Sequence, residues 1–266
     1  MDYKSEFINN GYFVIDNFIT DDIVLSLIKH IEQKEPTIKV PYSDEAWGYG
    51  DLLTDSFVTK NIKLNLLIEL CENITEQESS INHILCNRKP AFYGPDYEWH
   101  REIFNSATFA PGASLKNLRQ NWIQIYIPLL DENELAGGLH IIKNSHKIDS
   151  VDSEDIVNTN YSHKRRVTRK SMFEATKNGE ICSLNLKAGS LLVFSSYLIH
   201  GSPINLSSSD RLSIVAQSAP SNFVPDEDIY NSEVLYRTNF IKDSLYTAIE
   251  KFTDKDRYKT FNKDKK

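Results

Sequence analysis

The spacing of apolar and polar positions indicates helices near the N-terminus and a β-rich middle. GYFVIDNF (11–18) has the β-branched and aromatic content of a short strand. The next segment, TDDIVLSLIKHIEQ (20–33), predicts a helix with Thr20 as N-cap and acids at its positive end. The apolar positions of this helix are Ile23, Leu25, Ile28 and Ile31. A second helix is expected at about 60–73.

Between about 84 and 217 the apolar positions fall into short β-rich runs separated by Gly, Pro, Asn and Ser. The clearest runs are NWIQIYIPLL (121–130), GGLHII (137–142), GSLLVFSSYLIHG (189–201) and RLSIVAQSA (211–219). Such a pattern predicts an antiparallel sandwich or barrel with flanking helices.

No repeat or Pro/Gly-rich linker interrupts the chain, so we expect a single domain over 1–266. Its parts are an N-terminal flank (1–83), a β core (84–220) and a C-terminal tail (221–266) that is helical at about 233–252. The connection near 150–179 is long for a strand connection, and long loops of this kind are often lids over a site.

Composition narrows the class of protein. The net charge of −7 provides no general attraction to nucleic acid or to anionic membranes. No apolar run approaches the roughly 20 residues that cross a bilayer, and the first residues lack a signal-peptide pattern. Three scattered cysteines, Cys71, Cys86 and Cys182, favour a reduced, cytoplasmic protein.

Candidate chemistry begins at YEWHRE, where His100 and Glu102 are two residues apart. On a strand, this spacing places both side chains on one face and Arg101 on the other. His200 ends a second apolar run and is either a hydrogen-bonded core histidine or a third ligand. Two histidines and one carboxylate form the facial triad of non-haem Fe(II) sites, which leaves coordination positions open.

Arg211 follows His200 by eleven residues, across a turn and at the start of the next strand. Folding that hairpin back would bring the guanidinium beside the metal, where it matches the distal carboxylate of a 2-oxo acid. The alternative interpretation is an ordinary surface arginine.

Together these segments resemble the phytanoyl-CoA dioxygenase family of Fe(II)- and 2-oxoglutarate-dependent oxygenases. The similar stretches occur in the family's order: GYFVIDNFITDDIVLSLIKHI, WHRE, WIQIYIPLLDENELAGGLHIIKNSHK and IHGSPIN. The resemblance implies a double-stranded β-helix, which is a jelly-roll, cupin-like core.

Carried over position by position, the resemblance assigns the iron ligands to His100, Glu102 and His200 and the 2-oxoglutarate anchor to Arg211. Further co-substrate positions carried over in this way are Ser202, Trp122 and Lys89. Core packing is an equal alternative for Trp122, and the role of Lys89 stays open.

The chain departs from the family pattern at two places. Glu102 replaces the usual Asp, which changes the reach of the carboxylate. Lys143 and Asn144 replace a Pro-Gly pair, and Asn tolerates the left-handed backbone that Gly would supply. His146, in the same turn, is expected to be a structural hydrogen-bonding residue, and His140 is a weaker rival for the third ligand.

The activity implied is a dioxygenase that uses Fe(2+), 2-oxoglutarate and O2, releases succinate and CO2, and hydroxylates a C–H bond. Desaturation, cyclisation or epoxidation by the same iron centre, and a non-catalytic jelly-roll binding protein, are the alternatives.

The expected partner is a small-molecule substrate, polar or anionic, and a homodimer is compatible with the sequence. Five cationic residues in KRRVTRK (164–170) form either a solvated loop or a site for an anionic substrate. The candidate substrate-facing residues are Tyr93, Trp99, Arg165, Arg166 and Arg169.

Overall fold

The computed structural model describes residues 2–39, 46–50, 52–92, 94, 96–102, 121–155 and 165–221. Its α-helices are α1 (Tyr3–Asn10), α2 (Asp21–Ile31), α3 (Ser56–Asn61), α4 (Leu64–Thr75) and α5 (Arg169–Asn178). Short 3-10 helices cover Leu52–Thr54 and Ser145–Lys147.

The strands of the two main sheets and of one hairpin are numbered in chain order. They are β1 (Tyr12–Ile15), β2 (Ile38–Lys39), β3 (Ala46–Tyr49), β4 (Ser79–Lys89), β5 (Tyr97–His100), β6 (Ile123–Pro128), β7 (His140–Ile142), β8 (Ser153–Asp155), β9 (Arg165–Val167), β10 (Ile181–Ser183), β11 (Leu191–Ser195), β12 (His200–Ser202) and β13 (Arg211–Pro220).

Two antiparallel sheets form the core of the molecule. The major sheet has the order β1-β11-β6-β13-β4-β3-β2, and the minor sheet has the order β10-β7-β12-β5. Apolar side chains of both sheets, such as Phe194 and Ile141, share one buried cluster between them. Two facing antiparallel sheets with non-sequential strand order are the predicted jelly-roll architecture.

The two faces of the major sheet differ in chemistry because side chains alternate along each strand. On β13, Leu212, Ile214 and Ala216 pack into a second apolar cluster, together with residues of α2, α3 and α4. Arg211 and Ser213 alternate with them and therefore face the interior between the sheets. This alternation makes one sheet serve both as a wall of the helical core and as a wall of the barrel.

Helix α2 begins after Thr20, as the sequence predicts, but its buried face is rotated from the expected one. Val24, Leu27 and Ile31 are buried, whereas Leu25 is 65% exposed. The run of apolar residues is too broad to select one face by periodicity, so packing against the sheet decides it.

Several boundaries differ from the sequence-based prediction. Helix α1 is not predicted because its apolar periodicity is weak; it is held by the Asp2 side chain, which accepts from Ser5 N, and by left-handed Gly11 after its end. Strand β4 begins at Ser79, before the predicted start of the core at 84. The predicted C-terminal helix at 233–252 lies outside the described residues.

The described parts of the 150–179 connection form the β8–β9 hairpin and α5. Val167, Met172 and Ala175 from this region pack with Ile142 and Ile199 of the minor-sheet region in a third apolar cluster. Residues 156–164, between β8 and β9 in the sequence, lie outside the described part of the chain. A lid role for this connection remains a prediction.

Within the described ranges, no helix combines the length and apolar character that crossing a bilayer requires.

A polar cluster around Asp55 ties α2 to α3. The Asp55 carboxylate caps α3 by accepting from Phe57 N and Val58 N, and it contacts His30 Nε2 at 2.9 Å and Lys34 Nζ at 2.6 Å. Burial alone would raise the pKa of Asp55, but the hydrogen bonds from Lys34, His30 and the helix lower it well below its ordinary value.

We expect Asp55→Asn to lower the free energy of unfolding by about 1–2 kcal/mol at neutral pH. Asparagine can still cap α3, but it lacks the negative charge that Lys34 and His30 contact. A carboxyl group whose folded pKa is lowered stabilises the protein above its unfolded pKa, and this contribution is lost as the pH falls. Urea unfolding at several pH values should therefore show the difference between wild type and variant shrinking below about pH 4. Asp22→Asn, an exposed acid in the first turn of α2, is the matched control; an equal, pH-independent loss in both variants would contradict the assignment.

Candidate active site

Pairing of β5 with β12 brings the two candidate histidines together. His100 is the register partner of His200, and Tyr97 is the register partner of Ser202. Two residues, Glu98 and Trp99, therefore oppose the single residue Gly201, which is the geometry of a β-bulge. The bulge offsets the normal alternation, so that Tyr97 and His100 both lie on the side that faces the interior.

Three candidate ligand atoms converge at this point. Glu102 Oε1 lies 3.5 Å from His100 Nε2 and 3.4 Å from His200 Nε2. The imidazole rings are 4.2 Å apart between centroids, and one ligand atom from each of the three residues lies within 4.8 Å of the others. Both histidines are buried, whereas the Glu102 side chain is 26% exposed.

The orientation of both imidazoles is set by main-chain oxygens. His100 Nδ1 is 2.6 Å from the carbonyl oxygen of Glu98, and His200 Nδ1 is 2.8 Å from that of Leu198. A neutral imidazole that donates through Nδ1 presents the lone pair of Nε2, which is the form that binds a metal. Burial, followed by the electrostatic influence of the neighbouring His100 ring, lowers the pKa of His200 and favours this neutral form.

Glu102 reaches the site from a bend and not from a strand. Strand β5 ends at His100, so the prediction that both ligands share one strand face is wrong. The main chain turns at Arg101, whose Nη2 donates to the carbonyl oxygens of Ser145 and Ile148, and Glu102 N then donates to Ser196 O at 3.1 Å. Arg101 thus points away from the ligands, as expected, and its buried contacts fix the bend.

The donor set fits a divalent iron ion. Nitrogen and oxygen ligands about 2.0–2.2 Å from one ion lie about 3 Å apart when they are adjacent around it. The observed Nε2–Oε1 separations are close to that value, and the chemistry of two imidazoles with one carboxylate is that of Fe(II) oxygenase sites. His100, Glu102 and His200 would hold the ion.

A second polar cluster lies on β4 and β13 of the major sheet and reaches β12, the minor-sheet strand that carries His200. Arg211 on β13 is the register partner of Lys89 on β4, and both side chains are buried. Lys89 Nζ donates to Ser202 Oγ at 2.7 Å and also to the carbonyl oxygens of Ser202 and Pro203. Three of the predicted co-substrate residues are therefore brought together: Lys89, Ser202 and Arg211.

Burial opposes the charge of both cations of this cluster, but their net pKa shifts have opposite directions. Burial, together with the charge of Arg211, lowers the pKa of Lys89 well below its ordinary value. Burial also opposes the charge of Arg211, but nearby Tyr126, Glu132 and Tyr97 outweigh it and raise the pKa of the guanidinium. Arg211 is thus a permanent buried cation.

Three residues of this cluster, Glu132, Tyr126 and Gly137, are not predicted from the sequence. Glu132 has a fully buried side chain, with Oε1 accepting from Tyr126 Oη at 2.5 Å and lying 3.8 Å from Arg211 Nε. Arg211 Nη1 donates to the carbonyl oxygen of Gly137, a left-handed residue whose missing Cβ leaves room for Pro203 O. Glu132 follows a strand in an acidic stretch and has the sequence pattern of an exposed turn residue, so only the fold identifies it.

The remaining predicted aromatic and histidine residues lie in different places. Trp122, just before β6, is 1% exposed. Trp99 packs against the apolar cluster beneath the β8–β9 hairpin, with its ring 6.2 Å from that of His140. His140 is outside the group of ligand atoms, and His146 Nε2 contacts Ile8 O at 3.0 Å. The structural role expected for His146 is confirmed, as is the left-handed backbone of Asn144.

The basic residues of the hairpin are not gathered around the ligands in the described structure. Arg166 contacts two exposed carboxylates, Glu98 at 3.0 Å and Glu154 at 2.7 Å. Arg169 is exposed at the start of α5. Arg165 is placed by its backbone in β9, while its side chain and the whole of Tyr93 lie outside the described part of the protein.

Comparison with known proteins identifies relatives of the same kind. Ectoine dioxygenase of Bordetella bronchiseptica is 21% identical over 234 residues, which cover 80% of this chain and 73% of the relative. The crystal structure of EctD from S. alaskensis with bound Fe matches with a TM-score of 0.67 and 19% identity, over 84% of this chain and 77% of that one.

A more distant structure shows the breadth of this fold. The epimerase SnoN in complex with Fe3+, alpha ketoglutarate and nogalamycin RO matches with a TM-score of 0.63 and 12% identity, over 84% of this chain and 85% of that one. The family model described as phytanoyl-CoA dioxygenase (PhyH) matches residues 7–213. The chain belongs to the phytanoyl-CoA dioxygenase family of iron- and 2-oxoglutarate-dependent oxygenases.

Proposed function

We propose that this protein is a dioxygenase that hydroxylates a C–H bond of a small, polar or anionic metabolite, with Fe(II) and 2-oxoglutarate. The convergence of His100, Glu102 and His200 on one point is the observation that carries the proposal. The iron, when bound, supplies the coupling of O2-dependent decarboxylation of 2-oxoglutarate to oxidation of the substrate. Succinate and CO2 are the accompanying products.

The residues of the chain have separate tasks in this proposal. His100, Glu102 and His200 hold the metal and occupy one side of it, which leaves adjacent positions for co-substrate and O2. Arg211, with Lys89 and Ser202 beside it, receives the distal carboxylate of 2-oxoglutarate. The walls of the barrel exclude bulk water and orient the reacting carbon, which is the main contribution of a protein to such chemistry.

Buried polar side chains inside the barrel support a small, polar substrate. Gln124 is buried on the strand that also carries Tyr126, on the interior side, and its Nε2 donates to Ser196 Oγ at 2.9 Å. Such uncharged polar groups suit a small hydroxylated or zwitterionic molecule. A matched relative is an ectoine dioxygenase, whose name also denotes a small metabolite. We also propose Tyr93, Trp99, Arg165, Arg166 and Arg169 as substrate contacts, with the three arginines brought to the site by a movement of the hairpin and α5 when substrate binds.

We expect Glu102→Ala to weaken Fe(II) binding by about 100-fold or more. Mutating even a residue that only hydrogen-bonds to a metal ligand lowers metal affinity by about 10–100-fold, and Glu102 is a proposed ligand itself. Anaerobic calorimetry with Fe(II) measures this directly. Glu98→Ala is the matched control, since Glu98 is also an acid two residues from His100 but its side chain contacts Arg166. Equal Fe(II) affinity in wild type and Glu102→Ala would show that the Glu102 carboxylate is not a metal ligand.

We expect Arg211→Ala to raise the KM for 2-oxoglutarate by at least about 30-fold, because deleting one member of a buried charge pair costs about 2–5 kcal/mol. Arg211→Lys should recover little, since an ammonium cannot form two parallel hydrogen bonds with one carboxylate. Succinate release, screened with a panel of small amino acids, phosphonates, sugars and acyl thioesters, provides the measurement.

Arg88→Ala is the control for this experiment, because Arg88 neighbours Lys89 but pairs on the other side of β4 with Asp210. An unchanged KM in Arg211→Ala would contradict the co-substrate assignment. Absence of any 2-oxoglutarate turnover by the iron-loaded wild type, across the panel, would instead favour the non-catalytic binding protein.

A further inference from the structure

We propose that Glu132 matches the charge of the co-substrate pocket to a single carboxylate, and so makes the pocket selective for a distal group with one negative charge. This inference rests on the proposed function, because it concerns how the same site recognises 2-oxoglutarate.

Glu132 is placed as a fixed counter-ion and not as a surface acid. Its side chain has no exposed area, and its backbone N donates to Leu186 O at 2.8 Å, which fixes the turn that carries it. Oε1 accepts from Tyr126 and faces Arg211 Nε, while Oε2 is buried without a hydrogen-bond partner among the described residues. Burying a carboxylate in this way is costly unless a cation lies beside it.

The cations beside Glu132 are Arg211 and Lys89, which are direct register partners. Like charges directly opposite each other on neighbouring strands repel. Three oxygens accept from Lys89 Nζ, a number that matches the three N–H groups of an ammonium and exceeds the two of a neutral amine. The negative charges of Glu132 and Asp96 oppose the lowering of the Lys89 pKa by burial.

Burial lowers the pKa of Lys89 and raises the pKa of Glu132, but each side chain favours the charged form of the other. With both ionised, the side chains of Arg211, Lys89 and Glu132 add to one positive charge in the free pocket. A distal carboxylate neutralises this excess when it binds, whereas a neutral amide leaves it uncompensated. A doubly charged group, such as a phosphonate, creates a buried negative excess. In a desolvated site, each uncompensated unit of charge raises the free energy of the complex. The negative charge of Glu132 therefore determines which ligand charge leaves the pocket neutral.

The experiment compares three ligands that differ in the charge of the distal group: 2-oxoglutaramate, 2-oxoglutarate and 4-phosphono-2-oxobutyrate. Their dissociation constants are measured by anaerobic calorimetry on the Fe(II)-loaded full chain, at a pH where the phosphonate is doubly ionised. Ratios of constants within one protein are used, because they do not depend on the fraction of active molecules.

We expect Glu132→Gln to shift the ratio of phosphonate to carboxylate affinity at least about tenfold toward the phosphonate. Glutamine keeps the shape of the side chain and an oxygen that accepts from Tyr126, so charge is the main change. Lys89→Gln should act in the opposite direction, shifting the ratio of carboxylate to amide affinity about tenfold toward the amide. This second variant keeps the test available if Glu132→Gln does not fold.

Asp131→Asn is the matched control, since it removes a neighbouring charge that is 58% exposed and paired with Lys187; its ratios should equal those of wild type. Unchanged ratios in Glu132→Gln, with normal binding of 2-oxoglutarate by wild type, would overturn the role of Glu132 alone. Failure of wild type to bind 2-oxoglutarate would overturn the proposed function as well.

Discussion

The register between β5 and β12 is the constraint on which the candidate site depends. It places His100 opposite His200 at the point where the two strands meet. A slip of one residue would send one imidazole to the opposite face, because strand side chains alternate. Two features stabilise this register: the bulge at Glu98 and Trp99, and the buried hydrogen bonds of Arg101. A shifted strand would lose both. The site is thus formed by backbone pairing before any metal contributes.

The same sheet alternation produces a second, charged compartment. On β13 the side chains of Arg211, Ser213 and Val215 face the interior, and their neighbours Leu212, Ile214 and Ala216 pack with the helices. The interior between the sheets therefore contains buried cations, whereas the cluster on the helical side of the major sheet is apolar. Glu132, Tyr126 and the carbonyl oxygen of Gly137 hold Arg211 from its far side. Its position is fixed by the protein before a co-substrate binds, which reduces the entropy that binding must overcome.

Much of this arrangement was accessible from sequence, because it depends on spacing within and just after strands. His200 ends a continuous apolar run and Arg211 opens the next strand, which gives their places in the sheets, while the resemblance to the family assigns their roles. Glu132 was not accessible, since its burial depends on where the turn after β6 folds relative to β13. The exposed side of α2 and the bend at Glu102 were also mispredicted, because packing partners far along the chain determine them. The substrate-facing residues are the least determined by sequence, since they depend on connections between strands.

The most direct test of this account is an anomalous-diffraction measurement at the iron edge, on anaerobic crystals grown with Fe(II) and 2-oxoglutarate. The account predicts one peak bounded by Nε2 of His100, Nε2 of His200 and a carboxylate oxygen of Glu102, with the distal carboxylate of 2-oxoglutarate hydrogen-bonded to Arg211. A peak elsewhere, or a co-substrate whose distal end lies away from Arg211, would contradict it.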